Sequence, residues 1–130
     1  MYGLAVEHYQ AVQVQWNGNG GADYFFQSEM PYDVPNQSSW MDGSSDGYPS
    51  IAVANSVTGF QAYGLGSYCF FYNPVTSVNA FTSPITSGVQ WHDMVTIALS
   101  GNTGAISHVV NGSGNAVNSG NEKTDVTSAS

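Results

Sequence analysis

Val12, Val14 and Trp16 alternate with Gln13 and Gln15, the period-two pattern of a half-buried strand running from Gln10 to Trp16. Asn17-Gly18-Asn19-Gly20-Gly21 follows, residues that reach positive φ at low cost, and Ala22 to Gln27 resumes a strand pattern. A tight reversal joining the two is the expectation. Further apolar runs of strand length lie at 51–57, 66–72, 89–91, 94–99 and 106–110, separated by Gly, Asn, Pro or Ser clusters. Between Pro31 and Gly47 the pattern breaks into a long irregular stretch that holds Trp40 and Met41. Loops of that length in compact domains are uncommon without a function, and exposed rings on them build binding surfaces. Trp40 is thus a candidate for ligand contact, or, with Tyr48, a pin that holds the loop to the body. From Gly112 to Ser130 apolar residues are sparse, which predicts a weakly docked tail at 118–130.

Composition sharpens the fold class. Fifteen glycines, many Ser, Thr and Asn, and 13% aromatic residues suit tight turns and pleated surfaces and suit long helices poorly, so the chain reads as all-β. Its 130 residues correspond to one domain. Short alternating strands with polar turns also fit a compact β-sandwich, which stands as the alternative architecture.

Charge excludes several partners. One lysine against nine acidic residues gives a net charge of −8, which repels a phosphate backbone or an anionic bilayer, so nucleic acid and membranes are not expected partners. No run approaches the roughly 18 apolar residues of a membrane span, and Met1-Tyr2-Gly3-Leu4 opens without the basic and apolar regions of an export signal. Cys69, the single cysteine, is flanked by Tyr68, Phe70 and Phe71 and reads as a buried thiol. His92 with Asp93, and His108, lack metal-ligand spacing, and no G-x-S-x-G elbow occurs, so neither a metal nor a cofactor is assigned. The glycines at 18, 20, 21, 64 and 66 read as turn or close-packing residues rather than a phosphate cradle, and two N-glycosylation sequons begin at Asn36 and Asn111.

Two acidic motifs, with a short Trp-Asn-Gly stretch between them, carry a family resemblance. Tyr2-Gly3-Leu4-Ala5-Val6-Glu7-His8, then Gln15-Trp16-Asn17-Gly18, then Tyr24-Phe25-Phe26-Gln27-Ser28-Glu29-Met30-Pro31-Tyr32-Asp33, is similar to a stretch near the end of glycoside hydrolase family 55 β-1,3-glucanases. The similarity continues through the segments 64–71 and 106–112 and spans residues 2–117. It implies a right-handed parallel β-helix, of which this chain supplies the closing coils, and a sugar cleft shared with a first β-helix that this chain lacks. It also implies secretion, an inverting reaction on β-glucan, Glu29 as general acid and Glu7 as the acidic residue on the water side. Tyr32 matches a position that lines the family's sugar site. His8 and Gln27 join it as polar neighbours of the acids.

The spacing of the two acids has a chemical consequence on such a fold. Glu7 and Glu29 are 22 residues apart; with one coil per 22 residues they stand on neighbouring rungs, ~4.8 Å apart at the backbone. That, with splaying, overlaps the carboxylate separations of roughly 5–5.5 Å and 6.5–9.5 Å found in retaining and inverting glycosidases. Like charges so placed disfavour each other's ionisation, which would keep a proton available for the departing oxygen. The leading expectation is a β-1,3-glucan-directed hydrolase module, incomplete alone. A non-catalytic lectin-like glycan binder and a self-assembling structural solenoid, whose open end invites self-association, are the alternatives.

Overall fold

The computed structural model describes residues 1–130. Its strands are β1 (Tyr2–Glu7), β2 (Val14–Trp16), β3 (Gly21–Glu29), β4 (Met41–Asp42), β5 (Ser45–Asp46), β6 (Ile51–Val53), β7 (Phe60–Cys69), β8 (Thr76–Thr82), β9 (Val89–Ala98), β10 (Ala105–Val110) and β11 (Lys123–Ala129). One sheet has the order β1-β3-β7-β9-β11 and the other β10-β8-β6-β2. All pairings in both are parallel except β11 on β9. The chain passes from one sheet to the other and back, so each return lays a strand beside its predecessor. Such all-β architecture with parallel sheets is consistent with a β-helix-like domain. It does not fit a sandwich of antiparallel sheets.

Register turns sequence distance into stacked rungs. Leu4, Phe26, Leu65 and Met94 align across four strands, as do Val6, Ser28, Ser67 and Thr96. The inner three of the first row are each about 1% exposed. Phe81 stacks on Trp91 at 5.6 Å, and Phe60 meets Trp91 edge-on at 5.5 Å, filling the space between the sheets. Behind the β3 rung, Ser28 Oγ donates to Ser50 Oγ at 3.0 Å and Ser50 lies 2.8 Å from Ser67 Oγ. These buried hydroxyls therefore satisfy one another and tie β3 to β7.

Several expectations change. The segment from Asn17 to Gly21 is no hairpin: β2 pairs with β6 in one sheet, and β3 lies between β1 and β7 in the other. Its hydrogen bonds go to the next layer instead. Asn19 Oδ1 accepts from the backbone of Thr58 at 2.7 Å and Gly59 at 3.1 Å, and Gly20 N donates to Gly59 O. Trp16 closes the corner over Gly21, where a Cβ would come within 2.3 Å of the indole, so only glycine fits there. The two runs at 89–91 and 94–99 form a single strand, β9, while β1 and β8 arise where no strand was expected.

The irregular stretch is ordered, with a 3₁₀ turn at Gln37–Ser39 and the small β4–β5 hairpin. Trp40, expected as a ligand contact, is 1% exposed and packs against Phe71 at 5.4 Å and Tyr48 at 6.4 Å. It is a pin and cannot present its ring to a ligand. The tail is not weakly docked: β11 pairs from Lys123 with Ile97 to Ala129 with Trp91. Its turn-rich approach, with few apolar residues, hides a strand that draws its stability from backbone pairing along β9.

Cys69 is fully buried, and desolvation pushes its thiol up to about 12. A thiol-reactive disulfide reagent is therefore expected to leave the folded protein unlabelled at pH 8 and to label it fully in denaturant; rapid labelling of the folded state would contradict this packing.

Candidate active site

Glu7 and Glu29 are direct register partners on β1 and β3, and the next two rungs place Tyr68 and Ile97 at the same position. Adjacent parallel strands hold equivalent side chains on one face, so both acids project from the same face. Opposite them, Val6 and Ser28 point toward the core, Ser28 fully buried. Glu7 is exposed, and the side chain of Glu29 retains 24% of its accessibility. Neither carboxylate is sealed away.

Three residues fix Glu29. The backbone N–H of His8 donates to Glu29 O at 2.9 Å, and Gln13 Nε2 donates to the same oxygen at 2.9 Å. His8 takes a left-handed conformation, φ 61, that ends β1 and carries its imidazole across to the next rung. Its Nε2 lies 3.2 Å from Glu29 Oε2. The Tyr32 hydroxyl donates to that same Oε2. The His8 and Tyr32 rings lean together with centroids 4.3 Å apart. With Oε2 held from two sides, Oε1 is left without a protein partner, which suits a carboxyl that exchanges a proton with a ligand.

Tyr32 bears the electrostatic signature of this arrangement. Desolvation, together with the hydrogen bond to Glu29 and the charges of Glu29 and Glu7, pushes its phenol from the ordinary 10.0 up to about 12. Between pH 10 and 12 the unfolded chain releases this proton first, so the folded state binds more protons and stability falls as pH rises through that window. Ultraviolet titration of the phenolates is expected to show a late-titrating tyrosine that disappears in Tyr32→Phe; an unchanged late component in that variant would remove Tyr32 from the assignment.

The other named residues are distributed as follows. Gln27 stands two residues before Glu29, half-buried, aligned with Ala5 and Gly66, and makes no hydrogen bond to the carboxylate. Trp40 is in the core. His92 stacks on Tyr63 at 4.6 Å, and His108 Nδ1 lies 3.1 Å from Gly114 O, so both are engaged away from the acids.

Sequence reasoning passed over Phe70 and Tyr72. Tyr32 meets Phe70 at 5.3 Å and Tyr72 at 5.8 Å, an aromatic cluster that abuts the acid, with Tyr72 58% exposed. The signal was there: Tyr68, Phe70 and Tyr72 alternate with fully buried Cys69 and Phe71. The most voluminous concavity, about 470 Å³, lies elsewhere, around Gln90, His92 and Ser128–Ser130, and has no acid lining it. Chemistry therefore points to the open sheet face at Glu29 rather than to the larger hollow.

Comparison with known proteins finds relatives of this chain. Residues 1–29, which contain both acids, match the family model described as the LAM55 pectate lyase-like domain. Over 111 residues, 84% of the chain, it is 40% identical to an exo-β-1,3-glucanase from Streptomyces sp. (strain SirexAA-E / ActE), of which it spans 18% of the length. The solved structure of sacteLam55A from Streptomyces sp. SirexAA-E superposes with a TM-score of 0.94 at 36% identity, over 99% of this chain and 24% of that one. A glutamate-to-alanine variant of sacteLam55A in complex with glucose superposes equally well, at 33% identity with the same coverage. That extent includes β11. The chain is homologous to one segment of a glycoside hydrolase family 55 β-1,3-glucanase.

Proposed function

We infer that this chain forms the closing coils of a right-handed parallel β-helix and supplies the acidic half of a β-1,3-glucan hydrolase site. The observation that carries the reading is the register pairing of Glu7 with Glu29, with Tyr32 and His8 converging on one oxygen of Glu29. Glu29, protonated on Oε1, gives its proton to the departing glycosidic oxygen. Tyr32 and His8 hold the carboxyl so that this oxygen faces the ligand. Glu7, one rung away and open to solvent, steers water to the opposite face of the sugar and takes up the proton that water releases as it adds, which inverts the anomeric centre. No residue is assigned as a covalent nucleophile.

The site is completed by elements outside this chain. β1 has an unpaired outer edge, and Tyr2, stacked on Tyr24 at 5.0 Å, is 83% exposed. A further coil laid on β1 would continue both rows, which supports pairing with additional β-helix and also makes this edge the place where copies would associate. The glucan-bearing environment and secretion follow from the same reading. The test is a chimera in which this chain replaces the matching segment of the Streptomyces exo-β-1,3-glucanase. Laminarin hydrolysis within about tenfold of the parent is expected. A folded but inactive chimera would contradict the reading.

A further inference from the structure

One position in the main sheet is held in a left-handed conformation on every parallel strand. Gly3, Phe25, Gly64 and Asp93 have φ of 69, 66, 69 and 55, and each follows a residue of the aligned row Tyr2, Tyr24, Tyr63, His92. Glycine takes this conformation freely and aspartate tolerates it. Phenylalanine does neither, so Phe25 is the strained member of the row. No packing compensates: Phe25 is 67% exposed. Its neighbours on both sides are glycines, and a Cβ at Gly3 or Gly64 would meet nothing within 4 Å. The ring thus stands with open space on either flank.

That space is part of a trough of about 210 Å³ on the outer face, whose lining includes Phe25, Gln27, Gly64, Gly66, Tyr68 and Asp93. Tyr68 folds back over Gly66, where a Cβ would come within 2.8 Å of its hydroxyl. The trough neighbours the proposed active site along the same face, because Tyr68 is the register partner of Glu29 and Gln27 precedes Glu29 by two residues. Rings to face a sugar, an amide and a carboxylate to bond its hydroxyls, and a chain charge of −8 that disfavours anions together describe a neutral pyranose site. Phe25 lies four residues from Glu29, ~13 Å along an extended strand. A single sugar ring at Glu29 does not reach it, whereas a chain of several does.

We propose that Phe25, with Tyr68, Gln27 and Asp93, forms a distal subsite that binds the part of a β-glucan chain remote from the bond at Glu29. This rests on the reading of Glu29 as the reaction centre. The strain at Phe25 is retained because the ring, and not the backbone, is used.

Calorimetric titration of the whole chain with laminaribiose and laminarihexaose, for the wild type and Phe25→Gly, tests it, with the melting temperature measured alongside. Glycine suits the backbone at this position, so the fold is not put at risk. The wild type is expected to bind the hexaose at least about tenfold more tightly than the biose, a difference of the size a stacked ring supplies. Phe25→Gly is expected to abolish that preference while leaving biose affinity and melting temperature undiminished. Equal wild-type affinity for both sugars, or a preference that survives in the variant, overturns the subsite and leaves the Glu29 reading standing. A variant that melts lower and binds both sugars less tightly makes Phe25 a structural residue and overturns it too. A wild type that binds neither sugar overturns the subsite, while the Glu29 reading is decided by the chimera.

Discussion

Glu29→Gln, carried in the active chimera, is expected to lower kcat on laminarin by about 10²–10⁴-fold, the contribution of a positioned general acid. The amide keeps the size of the carboxyl and an oxygen able to accept from Tyr32, so sugar affinity should stay within about threefold. What is lost is the proton on Oε1. The deficit should therefore shrink on an aryl glucoside with an acidic phenol as leaving group, because such a group departs without protonation. A uniform loss on both substrates would indicate a positioning role for Glu29 instead. Glu7→Gln acts on the water side and should show no such dependence on the leaving group.

Trp40→Ala is expected to cost ~3–5 kcal/mol of stability, the range for deleting a large buried aromatic side chain. In a chain of this size that lowers the melting temperature by about 10 °C or more. The indole fills the space between Phe71, Tyr48 and the backbone of the β8 layer, where even a Cβ on Gly47 would come within 2.7 Å of its ring. Its removal leaves a cavity and frees the stretch from Pro31 to Pro49. Differential scanning calorimetry measures the change. Below the new transition, glucan affinity should be that of the wild type; a fully stable Trp40→Ala that fails to bind glucan would restore Trp40 to the ligand site.

The acidic pair was legible because parallel coils convert a sequence interval into a rung. Once a β-helix was inferred from the two motifs, the 22-residue interval put Glu7 beside Glu29, and register pairing bears out that geometry. The same periodicity failed at the corner between Asn17 and Gly21. Positive-φ residues between two alternating runs look alike whether the chain reverses within a sheet or turns into another, and what separates the cases is a partner about forty positions away, Thr58 and Gly59. Trp40 was ambiguous because burial of a loop tryptophan depends on what folds over it, here Phe71 from a different coil. β11 was illegible for a related reason. Its alternation of Thr, Val and Ser carries little apolar signal, and its place is set by the open edge of β9. Phe25 shows the opposite failure: its local sequence reads as an ordinary strand residue, and only the aligned glycines at 3 and 64 reveal the strained backbone.

Amide chemical-shift mapping by NMR, with laminaritriose titrated into the 130-residue chain, tests the location of the site most directly. The largest shifts are expected at Glu7, His8, Glu29 and Tyr32. Saturable shifts confined to the hollow between His92 and Ser130, with these four residues unmoved, would contradict it.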